Sequence, residues 1–323
     1  MTINSKPSHI YHTQIILIFS FIFCIIIGSG VYGFGNDWYA AYFKSNLDWN
    51  YWYRDQLGWR ISTLTIYGFH IGVYVTTFIL VCSSGILIEN FFKLKKINSV
   101  SYFSIILFIV IHTWPIIMST SNAMRQGLSM SFLFFFISAY MNDKKFLGFF
   151  FILLATFTHT SGPFYFILYI AMQSLLFLSK FFVKNYSLAL IYFVTSFLLS
   201  ILIYVLLSMF VPIESATRII HGDFRLPFMI INLSFILFFT YNYELLLNNP
   251  VNIFVYLFSS IALVLLFMGY NWQYERICMM MLIPYILTIG IYIKKIYAIA
   301  YYFIVFGMLL SLTFLTGMYE SFK

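Results

Sequence analysis

Long apolar runs, parted by short polar breaks, fill this chain almost from end to end. They fall near residues 13–31, 61–88, 100–118, 119–141, 146–162, 163–179, 188–211, 228–247, 251–270, 277–293 and 297–316. Most approach the roughly 20 residues that a helix needs to cross a bilayer core. In lipid each span must satisfy its own backbone, so each run predicts an α-helix. The expected fold is therefore all-α: a polytopic integral membrane protein of about eleven transmembrane helices, forming one domain over residues 1–323. The run 13–31 ends in Gly28, Ser29 and Gly30, small residues that could pass for a cleavage site. It is long and many spans follow it, so it reads as an uncleaved first helix.

Composition strengthens this class. Apolar residues make up 62% of the chain and charged ones 9%, against about 25% charged in a soluble domain. No water-soluble core of this size could hide so much Phe, Ile and Leu. Cys24, Cys82 and Cys278 sit in or beside apolar runs at spacings that suit neither a metal site nor a disulfide framework. They read as small buried hydrophobes. The net charge of +8 comes without a basic arm or a nucleic-acid motif, so no nucleic-acid partner is expected.

Charge placement adds sidedness. With the N-terminus in the cytoplasm and the helices alternating, the C-terminus lies outside. The cytoplasmic side then carries Lys6, Lys93, Lys95, Lys96, Lys144, Lys145, Lys180, Lys184, Lys294 and Lys295. The other side carries Lys44, Arg54, Arg60, Arg125, Arg218, Arg225, Arg276 and Lys323. The bias by count is modest, but every inside cation is Lys and every Arg is outside. The inside lysines sit mostly in short hairpins and read as topology signals without chemistry. Outside arginines oppose the orientation rule and imply a local use. The planar guanidinium fork binds phosphate or carboxylate through two parallel bonds and keeps its charge at any working pH. Some of these arginines have acids beside them, as Arg54 has Asp55 and Arg276 has Glu275.

Two outside loops stand out. Residues 32–60 hold four of the six tryptophans, Trp38, Trp49, Trp52 and Trp59, among five tyrosines. Such a loop suits a helix in the headgroup layer, or a surface on which sugar rings stack. Residues 212–227 gather Glu214, Arg218, His221, Asp223 and Arg225, which suits a functional loop better than a passive connector.

A third feature lies within the membrane. Arg125 precedes Asn142 by about 26 Å of helix, and His159 follows Lys145 by about 21 Å. On antiparallel neighbours the two therefore lie within about one turn in height, both in the outer third. Asn122, Arg125, Gln126 and Ser129 follow three- and four-residue steps and share one helical face, as expected of a helix entering a wet site. Ionisable residues at this depth are functional candidates. His159 belongs to the segment Thr158-His-Thr-Ser-Gly-Pro163, which also fits an ordinary helix end. His70 and His112 read as packed or interfacial, while Glu89, Asp143 and Glu244 fall on the inner side without a catalytic part.

Four features together resemble the EpsG-like group of Wzy-type polysaccharide polymerases. Gly35-Asn36-Asp37, followed by Tyr39 and Tyr42, comes after the first helix. Asn122-Ala-Met-Arg125-Gln126 opens a helix and runs into Leu128-Ser129. Phe157-Thr-His159-Thr-Ser161 ends the next, and Glu275-Arg276 precedes a late one. In one departure, the position where the group often has Glu is Gln56, in Gln56-Leu57-Gly58-Trp59, with Asp55 beside it. The resemblance implies a glycosyltransferase of O-antigen or surface-polysaccharide synthesis in the bacterial inner membrane. Its substrates would be undecaprenyl-diphosphate-linked oligosaccharides, joined at the periplasmic face without cofactor or metal. A chain-length regulator and a repeat-unit flippase are the implied protein partners.

On this reading Arg125 and Arg276 stabilise the departing diphosphate, with Arg218 and Arg225 next in line. A general base takes the acceptor's proton, and His159, Asp37, His221 and Asp223 all stand as candidates. Asn122, Gln126 and Glu275 complete the expected binding set. Three rival readings share the charged cavity. A flippase for the same lipid-linked sugar would need cations in the central third of the membrane, where this chain has none. An O-antigen ligase commonly has a longer periplasmic loop than 212–227. A membrane O-acyltransferase of surface sugar would use an intramembrane histidine, His112 or His159.

Overall fold

A computed structural model describes residues 6–32, 56–121, 123–159, 162–179, 225–267 and 271–315, together with isolated positions between 191 and 205. Nearly all of this is helical. The helices are α1 (Lys6–Gly28), α2 (Gln56–Ser62), α3 (Gly72–Leu94), α4 (Val100–Ile111), α5 (Trp114–Ser121), α6 (Met124–Met141), α7 (Lys145–Thr158) and α8 (Gly162–Leu178). They continue as α9 (Arg225–Tyr241), α10 (Tyr243–Asn248), α11 (Pro250–Phe267), α12 (Asn271–Tyr292) and α13 (Lys295–Leu315). Among the described residues three helices are long and apolar enough to cross a membrane: α1, α3 and α13. A fourth candidate is α4 with α5, bent by 60° at the break between them. The chain is thus a largely helical, membrane-embedded protein. Most of the run 188–211, and the loops around 32–55 and 212–224, lie outside the described residues.

Three apolar runs differ from their expected helices. In the run 61–88 the long helix starts only at Gly72, because α2 ends at Ser62 and an antiparallel hairpin follows it, β1 (Thr65–Ile66) with β2 (Phe69–His70). Thr65 pairs with His70 and Ile66 with Phe69, leaving a two-residue turn at Tyr67 (φ 50) and Gly68 (φ 82). Positive φ at both turn positions matches the right-handed twist of a hairpin. The run 100–118 bends at His112 and Thr113. Pro115, lacking an N–H, suits the first turn of the new helix, and Trp114 N donates instead to Thr313 Oγ1 of α13 at 2.8 Å. The run 228–247 breaks at Asn242, whose Nδ2 donates to Phe238 O at 2.9 Å.

Two compact units divide the chain: Met1–Gly162 with Ile286–Lys323, and Pro163–Tyr285. In the first, α1 runs antiparallel to α3. Gly28 abuts the Tyr74 ring, Gly85 abuts Ile16, and His12 reaches Glu89. Cys24 Sγ donates to Tyr74 O and Ser20 Oγ meets Cys82 Sγ, each at 3.2 Å, so both cysteines are spent on this interface. Helix α6 lies at the centre, packed by α3, α5 and α7. All its residues are buried except Arg125, Phe135 and Met141, which are half-buried. Protein on all sides explains how one helix can carry Arg125, Gln126 and three serines, since none must face lipid. The outer helices do the reverse. Phe21 and Ile25 of α1, with Ile304 and Met308 of α13, are exposed, as lipid-facing residues must be.

The second unit centres on α11, buried along most of its length and packed by α9 and α10. Tyr165 stacks on Phe258 with ring centroids 6.0 Å apart and donates to Met280 Sδ at 2.9 Å. The one interior amide of α9, Asn232, is satisfied by Ser259, whose hydroxyl donates to Oδ1 at 2.9 Å.

Candidate functional site

The candidate site grows from the α6–α7 hairpin. These helices pack along their length, and Ser129 Oγ of α6 donates across the interface to Ala155 O of α7 at 3.1 Å. Arg125 is the second residue of α6 and His159 is the C-cap of α7, so both stand at the same end of the hairpin. At His159 the backbone turns extended (φ −141, ψ 152), which ends the helix. Its carbonyl accepts from Gly162 N at 2.8 Å, closing the turn into α8. A side chain at Gly162 is excluded, because its Cβ would fall 1.9 Å from Thr156 O. The His159 side chain is buried, as is Gln126.

Helix α2 crosses this end and meets both partners. A Cβ on Gly58 would fall 1.9 Å from Thr158 O, so the two backbones touch there and only glycine allows it. The next residue, Trp59, lies against Arg125, with the guanidinium carbon 3.8 Å from the ring centroid. At that distance the guanidinium sits over the ring face, where the aromatic quadrupole attracts a cation. One further contact fixes α2: a Cβ on Gly72, which opens α3, would meet Ser62 O at 2.1 Å. Within α2, Ser62 donates to Gly58 O at 2.6 Å and closes the last turn. Arg60 is half-buried beside Trp59.

At this end the guanidinium of Arg125 and the N-terminus of α6 are positive, while α7 brings its negative pole. The N-cap of α6 is Ala123, which has no side-chain acceptor for the first N–H groups of the helix. The positive pole of the helix therefore adds to the charge of Arg125. An anion held here would meet a fixed guanidinium and a helix N-terminus together.

Of the residues singled out in the sequence, the structure places Arg125, Gln126 and His159 at the same end of the α6–α7 hairpin. The face shared by Arg125, Gln126 and Ser129 departs from a water-lined wall. Gln126 and Ser129 are buried, and Ser129 serves the α6–α7 contact, because α6 is the central helix of its unit. Asp37, Asn122, Arg218, His221 and Asp223 lie outside the described residues. Arg225 opens α9, while Glu275 and Arg276 lie in the first turns of α12, all three placed by their helices alone. His112 is packed at the α4–α5 bend, donating through Nδ1 to Phe108 O at 2.7 Å among the rings of Phe23, Tyr32 and Phe108. Sequence reasoning missed the joint role of Gly58 and Trp59. The available signal was a glycine beside a tryptophan at the edge of an apolar run.

Comparison with protein-family models, curated proteins and solved structures finds no match for this chain.

Proposed function

We propose that this protein is a polymerase of lipid-linked oligosaccharides. It would be a glycosyltransferase of about eleven spans in a bacterial inner membrane, with its N-terminus cytoplasmic and its active site facing the periplasm. The growing chain leaves its undecaprenyl diphosphate and joins a hydroxyl of the next lipid-linked unit. That leaving group is a diphosphate, which needs cationic stabilisation more than protonation. The observation that carries the reading is the fixed Arg125. Stacked on Trp59 at the N-terminus of α6, it shares one end of a helical hairpin with buried His159. Such a guanidinium is preorganised, so little reorganisation opposes charge as it develops on the diphosphate. His159, buried at the C-cap of α7, serves as the general base.

The test is complementation of a deletion strain, read on a gel of surface polysaccharide. Wild type should restore long chains, and Arg125→Ala should leave single repeat units while inserting normally. Arg125→Lys should also fail to restore long chains, since a point charge cannot reproduce the planar fork. Normal-length chains from Arg125→Ala would remove Arg125 from the mechanism. Loss of all surface sugar in the deletion strain, single units included, would favour flippase or ligase instead.

A further inference from the structure

The end of the first unit remote from Arg125 carries a second charged feature, built from two loops far apart in sequence. After α3 come Lys95 and Lys96, while Lys294 lies between α12 and α13 and Lys295 opens α13. The loops are clasped reciprocally. Lys95 Nζ donates to Ile293 O, just past the last turn of α12, and Lys295 Nζ donates to Lys96 O at 2.5 Å, just past the end of α3. Each ammonium thus sits at the negative pole of the other loop's helix. The clasp draws Lys93, Lys95, Lys96, Lys294 and Lys295 into one cluster. Burial pulls the Lys95 ammonium below its usual pKa, the cost of setting it into the clasp.

The local acid is already engaged. Glu89 is buried and takes Lys93 Nζ at 3.1 Å, with His12 Nδ1 at 3.9 Å. Lys96 and Lys294 are exposed. Lys96 also has φ 54 in the residue pair that ends α3, a left-handed position where glycine is the usual occupant. A lysine there bears a strain that glycine would avoid. Around the cluster Leu94, Ile296 and Tyr297 are exposed, the last two by 78% and 62%. Exposed apolar groups beside ammoniums, at the ends of two apolar spans, mark the boundary between hydrocarbon and headgroups.

We propose that this lysine clasp is a binding site for the phosphate of an anionic phospholipid headgroup. Apolar neighbours hold the acyl chains while Lys96 and Lys294 hold the phosphate. This site is independent of the polymerase reading and of which leaflet it faces.

The experiment uses the full-length protein in nanodiscs of phosphatidylcholine with increasing phosphatidylglycerol. Thermal unfolding reports the response. Lys96→Gly with Lys294→Gln is the informative double variant: Gly relieves the strain at φ 54, so folding is preserved while two charges go. Wild type should gain stability with phosphatidylglycerol. The double variant should need more of it by about fivefold for each charge removed. Millimolar inorganic phosphate in pure phosphatidylcholine should do nothing. Equal responses of wild type and double variant would overturn the proposal, as would equal stability in both lipids. A full response to inorganic phosphate would show a plain anion site and overturn the lipid assignment.

Discussion

At Arg125 a single ring contact decides how much the guanidinium is worth. A cation over a tryptophan gains roughly 0.5–1 kcal/mol when exposed and about 2 or more when desolvated. Half-buried Arg125 falls towards the upper figure. On the proposed function, removing the ring should release the side chain into several rotamers and lower chain growth by roughly tenfold, since 1.4 kcal/mol is one decade in rate. Trp59→Phe should keep most of the activity, because a phenyl face still attracts the cation, though more weakly. The decisive measurement is a double-mutant cycle read on thermal unfolding, because Arg125→Ala leaves no chain growth to lose. If Trp59 packs through Arg125, adding Trp59→Ala to Arg125→Ala should cost almost nothing more. Additive losses would mean that Trp59 has a separate packing task. The sequence makes both residues visible, as an arginine expected outside and an aromatic expected at the interface. It does not pair them, because the contact joins two elements that meet only in the folded chain.

Glycines mark where elements approach most closely, and they separate the site from the core. Gly58 touches Thr158 O from a short helix at the edge of the unit, whereas Gly127 touches Ser119 O inside it, where a Cβ would fall at 2.1 Å. Gly58→Ala should lift α2 and move Trp59 off Arg125, so chain growth falls while the unfolding temperature stays near wild type. Gly127→Ala overpacks the α5–α6 contact and should cost about 1–3 kcal/mol, lowering both. Unfolding in nanodiscs alongside gels of polymer length checks the contrast. A Gly58→Ala protein with full activity would exclude α2 from the site. Much of the element pattern was legible: the runs 146–162 and 163–179 correspond to α7 and α8 within a few residues, and 251–270 and 297–316 to α11 and α13. The hairpin at Tyr67-Gly68 was not, since Ile66 and Phe69 extend the apolar run through the turn. The bend at His112 was also hidden, because its missing bonds are supplied by Thr313 from the far end of the chain.

Across the first unit, polarity is distributed by depth in the protein. Helix α3 buries Thr76, Thr77, Ser83, Ser84, Glu89 and Asn90, and α6 buries Gln126, Ser129, Ser131 and Ser138, while α1 and α13 turn Ile and Phe outward. Accordingly α3 is the least apolar of the three helices long and apolar enough to cross a membrane, below α1 and α13. The charges are then sorted along the helix axes. Arg60, Arg125 and the exposed tip at Tyr67 belong to the end where α2 meets α3 and α6. Lys95, Lys96, Lys294 and Lys295 lie at the far end of α3, about 34 Å away. Asp143 to Lys145 lie beyond the far end of α6, about 27 Å away. Lipid cannot cover either end, so the two must face opposite aqueous compartments if the unit spans the bilayer. Single cysteines at Tyr67, Asp143 and Lys294, in a background with Cys24, Cys82 and Cys278 replaced by Ala, make this measurable. In intact cells a membrane-impermeant maleimide should label Tyr67→Cys alone, and permeabilised cells should label all three. Labelling of Asp143→Cys or Lys294→Cys from outside would invert the orientation and put Arg125 on the cytoplasmic side, where a periplasmic polymerase has no use for it.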